Sequence, residues 1–255
     1  MNTRALFSLE GANALVTGAS RGLGRAIAIA LADAGANVGC VSSTAGGAEE
    51  TASLIRLCGR KAWEFAADLS NRNAVIRLAD EAGEQMGAID ILVNNAGTIR
   101  REKATDYSED DWDIVIRTNL DSVFFLSQII GRKMTQRKKG KIINIASLLA
   151  FSGGITVPAY TASKHGVAGL TKALANEWAQ FGIQVNAIAP GYFETDNTEA
   201  LRNDPKRADE ILSRIPAGRW GHPEDLAGAV IFLASRASDY VNGHVLVVDG
   251  GWMAR

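Results

Sequence analysis

Short apolar runs alternate with longer stretches of helical spacing along the whole chain. The runs fall at 14–17, 37–42, 61–66, 89–94, 141–146, 183–189 and 245–248. Between them, apolar positions recur at helical spacing over 24–34, 74–86, 109–132, 159–181 and 224–234, among other stretches. Apolar runs that do not alternate with polar residues predict strands covered on both faces, as in a parallel sheet. Their alternation with helices predicts an α/β fold, a single doubly wound parallel sheet of about seven strands with helices on both faces. Right-handed crossovers would bring all strand C-termini to one edge, where ligands bind. No repeat, low-complexity segment or linker divides the chain, so residues 1–255 read as one domain. After the strand that ends at Pro190-Gly191 a polar helical segment follows, read as a substrate lid at about 192–219.

Composition removes several classes of function. Of 255 residues, 47% are hydrophobic and 22% charged, which excludes a disordered chain. The net charge of -1 (27 Lys+Arg against 28 Asp+Glu) gives no basic field for nucleic acid or an anionic membrane. Cys40 and Cys58 cannot build a disulfide framework, and His165, His222 and His244 are scattered, so no metal site is expected. Residues 1–10 carry Arg4 and Glu10 and lack the apolar run of a signal peptide; the expected location is the cytoplasm. The uncharged stretch 142–163 has the length of a membrane span, but Asn144, Ser147, Ser152, Gly153-Gly154 and Pro158 break it up.

Chemistry enters with the turn after the first strand, T-G-A-S-R-G-L-G at 17–24. Gly18, Gly22 and Gly24 would let the backbone turn tightly and approach a pyrophosphate, which the next helix N-terminus would bind. Glycine also simply makes turns, but its place between first strand and first helix points to a Rossmann-type dinucleotide site. The end of the second strand reads Val41-Ser42-Ser43-Thr44, without the acid that receives a ribose 2′-hydroxyl. Arg21 could supply a cation, and Ser42 or Ser43 a hydroxyl, to a 2′-phosphate. NADP(H) is therefore the favoured cofactor, with NAD(H) the other candidate.

Further on, Ser147 ends a strand, and Tyr160 and Lys164 share one helix face at i and i+4. An ammonium beside a tyrosine stabilises the phenolate and lowers its pKa, making Tyr160 a usable acid/base, with Ser147 holding the reacting oxygen. Together with D-L at 68–69, N-N-A-G at 94–97, the Asn of R-T-N-L at 119 and P-G at 190–191, these motifs resemble the short-chain dehydrogenase/reductase family over essentially the whole chain. The resemblance implies a catalytic tetrad of Asn119, Ser147, Tyr160 and Lys164. Asn119 would interrupt its helix to hold a water, and Lys164 would also bind the nicotinamide ribose. It implies cofactor contacts from Gly18, Ser20, Arg21, Gly22, Leu23, Gly24, Ser42, Ser43, Asp68, Leu69, Asn95, Ala96, Gly97, Tyr160, Lys164, Pro190, Gly191, Phe193 and Thr195. In that scheme Asp68 meets the adenine, Asn95-Ala96-Gly97 the adenosine ribose side, and Pro190, Gly191 and Thr195 the carboxamide.

The substrate is approached through charge. A water-poor pocket suits the Tyr160–Lys164 pair and accounts for the uncharged stretch 142–163. Arg100-Arg101 follow N-N-A-G-T-I, and Arg202, Lys206, Arg207, Arg214 and Arg219 crowd the expected lid. Guanidinium groups suit a carboxylate, and Arg101 and Arg202, with Ser147 and Tyr160, are the candidate substrate contacts. The segments at 96–102, 176–179, 186–192, 215–221 and 248–255 resemble the group of 2-dehydro-3-deoxy-D-gluconate 5-dehydrogenases (2-deoxy-D-gluconate 3-dehydrogenases) and neighbouring gluconate 5-dehydrogenases. The resemblance implies an oxidoreductase acting on a carbinol or ketone of a keto-sugar acid. The alternatives are a 3-oxoacyl-carrier-protein reductase and a non-catalytic dinucleotide sensor. Relatives pair helices equivalent to 109–132 and 159–181, which implies a homotetramer. Trp252 and Arg255 would join a second interface or reach a neighbouring site.

Overall fold

The computed structural model describes residues 2–255. Its strands are β1 (Asn13–Thr17), β2 (Asn37–Ser42), β3 (Ala62–Ala66), β4 (Ile91–Asn94), β5 (Gly140–Ile145), β6 (Ile183–Pro190) and β7 (Val245–Val248). They form one sheet in the order β3-β2-β1-β4-β5-β6-β7, with every pair parallel. The helices are α1 (Thr3–Phe7), α2 (Gly22–Asp33), α3 (Glu49–Leu57), α4 (Arg72–Met86), α5 (Glu109–Ile116), α6 (Ser122–Arg137), α7 (Pro158–Trp178), α8 (Asp196–Arg202), α9 (Pro205–Leu212) and α10 (Ala227–Ala234). The doubly wound arrangement expected from the apolar runs is present. The polar segment after β6 resolves into two short helices, α8 and α9.

Adjacent residues of each central strand serve opposite layers. Ala14, Val16, Ile91, Val93, Ile143 and Ile145 pack with α2 and α10. Their neighbours Leu15, Leu92 and Ile142 pack on the other side with α4, α6 and the end of α7. Both faces are thus withdrawn from water, and strands without polar alternation are the sequence consequence. Only the edge strands β3 and β7 keep most residues partly accessible.

The helical run Glu109–Arg137 extends 29 residues and is apolar enough by composition to cross a membrane. It opens on Glu109, Asp110 and Asp111 behind the Ser108 cap, and its apolar side packs on α4 and α7. Between α5 and α6 it widens into a π turn, Arg117–Asp121, centred on the buried Asn119. A π turn inside an α-helix shifts the register of side chains and often marks a functional position.

A buried polar chain runs along the face of the sheet that α6 and α7 cover. Asn94 and Asn144 are register partners on β4 and β5. The Asn94 amide donates to Asn144 (2.8 Å) and to Ser127 of α6 (3.0 Å). Asn144 donates to Thr171 of α7 (2.9 Å), which donates on to the Val167 carbonyl (2.8 Å). Satisfied buried polar groups fix one arrangement, because any other leaves a donor unpaired at a cost of about 1–3 kcal/mol. This chain therefore sets where α6 and α7 sit on the sheet. Asn144→Leu, which breaks two of its links, should lower stability by about 1–3 kcal/mol, read as a lower urea midpoint at unchanged slope. A midpoint equal to wild type would mean that the network is energetically neutral.

Candidate active site

The C-terminal ends of six strands open onto one cavity of about 520 Å³. Its wall is built from the residues that leave the sheet: Gly18 after β1, Ser42-Ser43 at the end of β2, Ala67 to Leu69 after β3, Asn95 to Thr98 after β4, Ala146-Ser147 after β5, and Pro190-Gly191 at β6. The first turn is clamped to the fourth. Thr17 Oγ1 accepts from the N–H of Asn95 and of Ala96 (3.0 Å each), and the Asn95 amide donates to the carbonyls of Thr17 (2.9 Å) and Gly18 (3.2 Å). Gly18 has φ +65°, and a Cβ there would lie 2.9 Å from the Ala96 Cα. A Cβ at Gly24 would fall on the Gly18 carbonyl. Arg21 starts α2 without a side-chain cap for its first N–H groups, so these donors and the positive helix end face the cavity. Such a cradle fits a dinucleotide pyrophosphate.

At the far end of the cavity α7 delivers Tyr160 and Lys164. Pro158 opens this helix in its first turn, where its missing N–H costs nothing. Lys164 is only 4% exposed, and its Nζ donates to the Ile145 carbonyl (2.6 Å), 5.5 Å from the centre of the Tyr160 ring. Burial pushes the Lys164 ammonium down to about 8. The half-buried Tyr160 is raised above the ordinary tyrosine value by burial; a hydrogen bond with Ser147 and the charge of Arg101 pull it partly back. This departs from the expected lowering by Lys164: the ammonium is turned to a strand-end carbonyl, so the downward influences come from Ser147 and Arg101. Ser147 caps the turn Leu148–Ala150, accepting from the Leu149 N–H (3.2 Å), and lines the cavity.

Asn119 is buried behind the wall rather than on it. Its side-chain oxygen accepts from the Thr98 N–H (2.8 Å), and its amide donates to the Thr98 carbonyl (2.9 Å) and to Ser163 (3.3 Å). Ser163 in turn donates to the Tyr160 carbonyl (2.7 Å). The side chain expected to belong to the tetrad thus ties the segment after β4 to α7.

Every residue expected to touch the cofactor lines this cavity, from Gly18 to Thr195. Their side chains are engaged differently from expectation in four places. Ser42 donates inward to the Thr44 carbonyl (2.7 Å), leaving Ser43 as the exposed hydroxyl. Asp68 accepts from the N–H and hydroxyl of Ser70 (3.0 and 2.7 Å). Thr195 caps α8 through a reciprocal arrangement with Thr198. Arg21 pairs with Asp196 of α8 (3.0 Å).

The substrate candidates divide. Arg101 lies outside the wall, donates to the Asn197 carbonyl of α8 (3.3 Å), and still reaches Tyr160 by its charge. Arg202 is not on the wall; it folds back from the last turn of α8 onto the carbonyl of its N-cap residue, Thr195 (3.2 Å). The other arginines between β6 and residue 219 are also engaged: Arg207 with Glu210, Arg219 with Asp225, and Arg214 over the Trp252 ring. Trp252 packs on Tyr192, and Arg255 donates to the Ser213 carbonyl (2.7 Å), so both C-terminal residues brace the segment after β6 of their own chain. Arg100, outside the expected substrate contacts, lines the cavity, held by Asp111 (3.3 Å) and Thr98 (3.1 Å). Thr98, Thr118, Asn197 and Thr198 were also missed; Thr118, beside the Asn of R-T-N-L, was the one with a signal.

A parallel sheet with a glycine cradle at one end of its cavity and a Ser-Tyr-Lys group at the other defines a dinucleotide-dependent dehydrogenase class. Residues 18–253 match the family model described as "Enoyl-(Acyl carrier protein) reductase", and the chain belongs to the short-chain dehydrogenase/reductase family. It is 58% identical over 249 residues to the 2-dehydro-3-deoxy-D-gluconate 5-dehydrogenase of Bacillus subtilis (strain 168), covering 98% of this chain and 97% of the relative. A structure from Agrobacterium tumefaciens with bound NADP is 55% identical, with a TM-score of 0.92 over 98% of this chain and 99% of that one. The gluconate 5-dehydrogenase from Burkholderia cenocepacia J2315, solved in complex with NADP and tartrate, is 43% identical, with a TM-score of 0.95 over 99% of each chain.

The low Lys164 value has a measurable sign. The folded chain should bind fewer protons than the unfolded one between about pH 8 and the ordinary lysine value of 10.5. Stability relative to Lys164→Met should therefore rise with pH across that window. Isotope-edited NMR of the Lys164 side chain should give a midpoint near 8; a midpoint at the ordinary value would refute the burial effect.

Proposed function

We propose that the protein is an NADP(H)-preferring oxidoreductase that interconverts a carbinol and a ketone on a sugar acid, of the 2-dehydro-3-deoxy-D-gluconate 5-dehydrogenase or gluconate 5-dehydrogenase type. The observation that carries this reading is the meeting of Ser147, Tyr160 and Lys164 at the end of a cavity whose other end is the Gly18–Gly22–Gly24 cradle. A dinucleotide with its pyrophosphate on that cradle would reach the other end with its nicotinamide, which would supply or accept the hydride. Ser147 holds the reacting oxygen, and the Tyr160 hydroxyl gives it a proton or takes one. The Lys164 ammonium, held on the Ile145 carbonyl beside the Tyr160 ring, anchors the ribose side, while Ser147 and Arg101 ease the loss of the Tyr160 proton. Asn119 acts through Thr98 and Ser163, keeping the cavity wall and α7 in register.

The class of substrate follows from the polar character of the wall around Tyr160. Thr98, Arg100, Thr118, Asn197 and Thr198 offer hydroxyls, an amide and a guanidinium, beside the apolar Ile114, Ile145, Ala146 and Phe193. That surface suits a polyhydroxy acid better than the acyl chain of a carrier-protein reductase. Arg101 can exchange the neutral Asn197 carbonyl for a substrate carboxylate, a stronger charge-assisted partner. An acid on Arg101 would lie where that charge already acts on Tyr160. A sensor would have no use for a Ser-Tyr-Lys group at the reacting end.

The lid at about 192–219, the cytoplasmic location and the homotetramer belong to the same proposal. An exposed free Cys58 fits a reducing compartment. The edge strand β7, with Ile231 and Phe232 of α10 only partly covered, offers an apolar surface for a second copy. A monomer in sedimentation would overturn the assembly.

Activity is tested with NADPH and NADH against a panel of keto-sugar acids and acetoacetyl thioesters. Turnover of a keto-sugar acid with NADPH is expected; turnover of the thioesters alone would favour the carrier-protein reading. Tyr160→Phe should lower kcat by about 100-fold or more with the NADPH Kd unchanged, because it removes only the proton transfer. Near-normal kcat in that variant would end the assignment.

A further inference from the structure

The cavity wall carries three cations, Arg21, Arg100 and Lys164, and two of them are committed at the reacting end. Lys164 is buried against the Ile145 carbonyl, and Arg100 is held by Asp111 and Thr98. Arg21 alone belongs to the glycine-rich turn, across from a β2 end that has no acid and whose Ser42 hydroxyl is turned inward. It is not a free cation. Its Nε lies 3.0 Å from a carboxylate oxygen of Asp196, which opens α8 and also lines the cavity. The two segments are close beyond this pair: a Cβ at Gly22 would sit 3.5 Å from the Thr195 methyl.

We propose that Asp196 is a specificity-determining residue for the dinucleotide, because it competes with a ribose 2′-phosphate for the guanidinium of Arg21. The inference rests on the dinucleotide reading of the cavity. Both side chains are largely exposed, 75% for Arg21 and 61% for Asp196, so the pair is weak and exchange of partners is cheap. A phosphate carries more charge than a carboxylate and takes a guanidinium bidentately, so it wins the exchange. The carboxylate still has to be displaced, which lowers the preference for a 2′-phosphorylated cofactor below what Arg21 alone would give. A cofactor without that phosphate leaves the pair intact, so its binding is indifferent to Asp196. The same exchange unties the start of α8 from the glycine-rich turn, so the two cofactors leave the segment after β6 differently held.

The test is equilibrium binding of NADPH and NADH, without substrate, by titration calorimetry at low salt. It uses the wild-type chain, Asp196→Asn, Arg21→Ala and the double variant. Asp196→Asn should tighten NADPH about threefold and leave NADH within experimental error. Arg21→Ala should weaken NADPH about tenfold, and in that background Asp196→Asn should have no further effect. The proposal is overturned if Asp196→Asn leaves NADPH affinity unchanged, alters both cofactors equally, or has the same effect without Arg21. Circular dichroism confirms that each exposed-site variant is folded. If the wild-type chain binds neither dinucleotide, the cofactor reading itself falls and this inference with it. If it binds NADPH and Asp196→Asn is silent, only the inference falls.

Discussion

The withdrawal of both faces of a parallel sheet from water is the constraint on which the rest of this molecule depends. Side chains such as Val16 and Leu15, adjacent in sequence, serve opposite layers, so neither layer can be peeled away without exposing the sheet. Parallel pairing then obliges each crossover to return to the same starting edge. The opposite edge collects all the turns that follow strand ends, and with them the polar residues that the core excludes. A cavity there is a consequence of connectivity before it is a matter of chemistry.

The buried polar chain from Ser127 through Asn94 and Asn144 to Thr171 adds precision to that plan. Hydrophobic packing alone tolerates small slides of a helix along a sheet, whereas a donor in an apolar core has one good partner. The helix it holds, α7, carries Tyr160 and Lys164. The π turn at Asn119 holds the segment after β4 through the backbone N–H and carbonyl of Thr98. The acid/base pair is thus positioned from two sides by groups that do not line the cavity. The fold also bears a cost at this point, since Lys164 is charged only against the resistance of its burial.

Charge is organised by pairing more than by number. Arg202, Arg207, Arg214 and Arg219 look like a basic cluster in the chain, yet each is taken by a carbonyl, carboxylate or ring: Thr195 and Glu210 within the segment, Trp252 and Asp225 beyond it. Two arginines from other segments reach α8, Arg21 to Asp196 and Arg101 to the Asn197 carbonyl, and so hold successive residues of that helix. The segment most exposed to a ligand is therefore tied down by the groups best suited to negative charge.

Much of this was legible in the chain. The apolar runs named the seven strands within a few residues, because two-sided burial leaves a compositional mark that needs no knowledge of partners. The glycine turn and the Ser147, Tyr160 and Lys164 set were equally readable, since each depends on local geometry: a turn without Cβ atoms, or a single helix face at i and i+4. What only the tertiary structure decided is where each long polar side chain is spent. Arg202 turning to Thr195, Arg101 standing outside the wall while Arg100 lines it, Ser42 facing inward and Arg21 engaging Asp196 all depend on residues that folding brings close. A side chain with several rotatable bonds takes the best partner within reach. Sequence order lists the candidates, but the distances that choose among them exist only once the strands have converged.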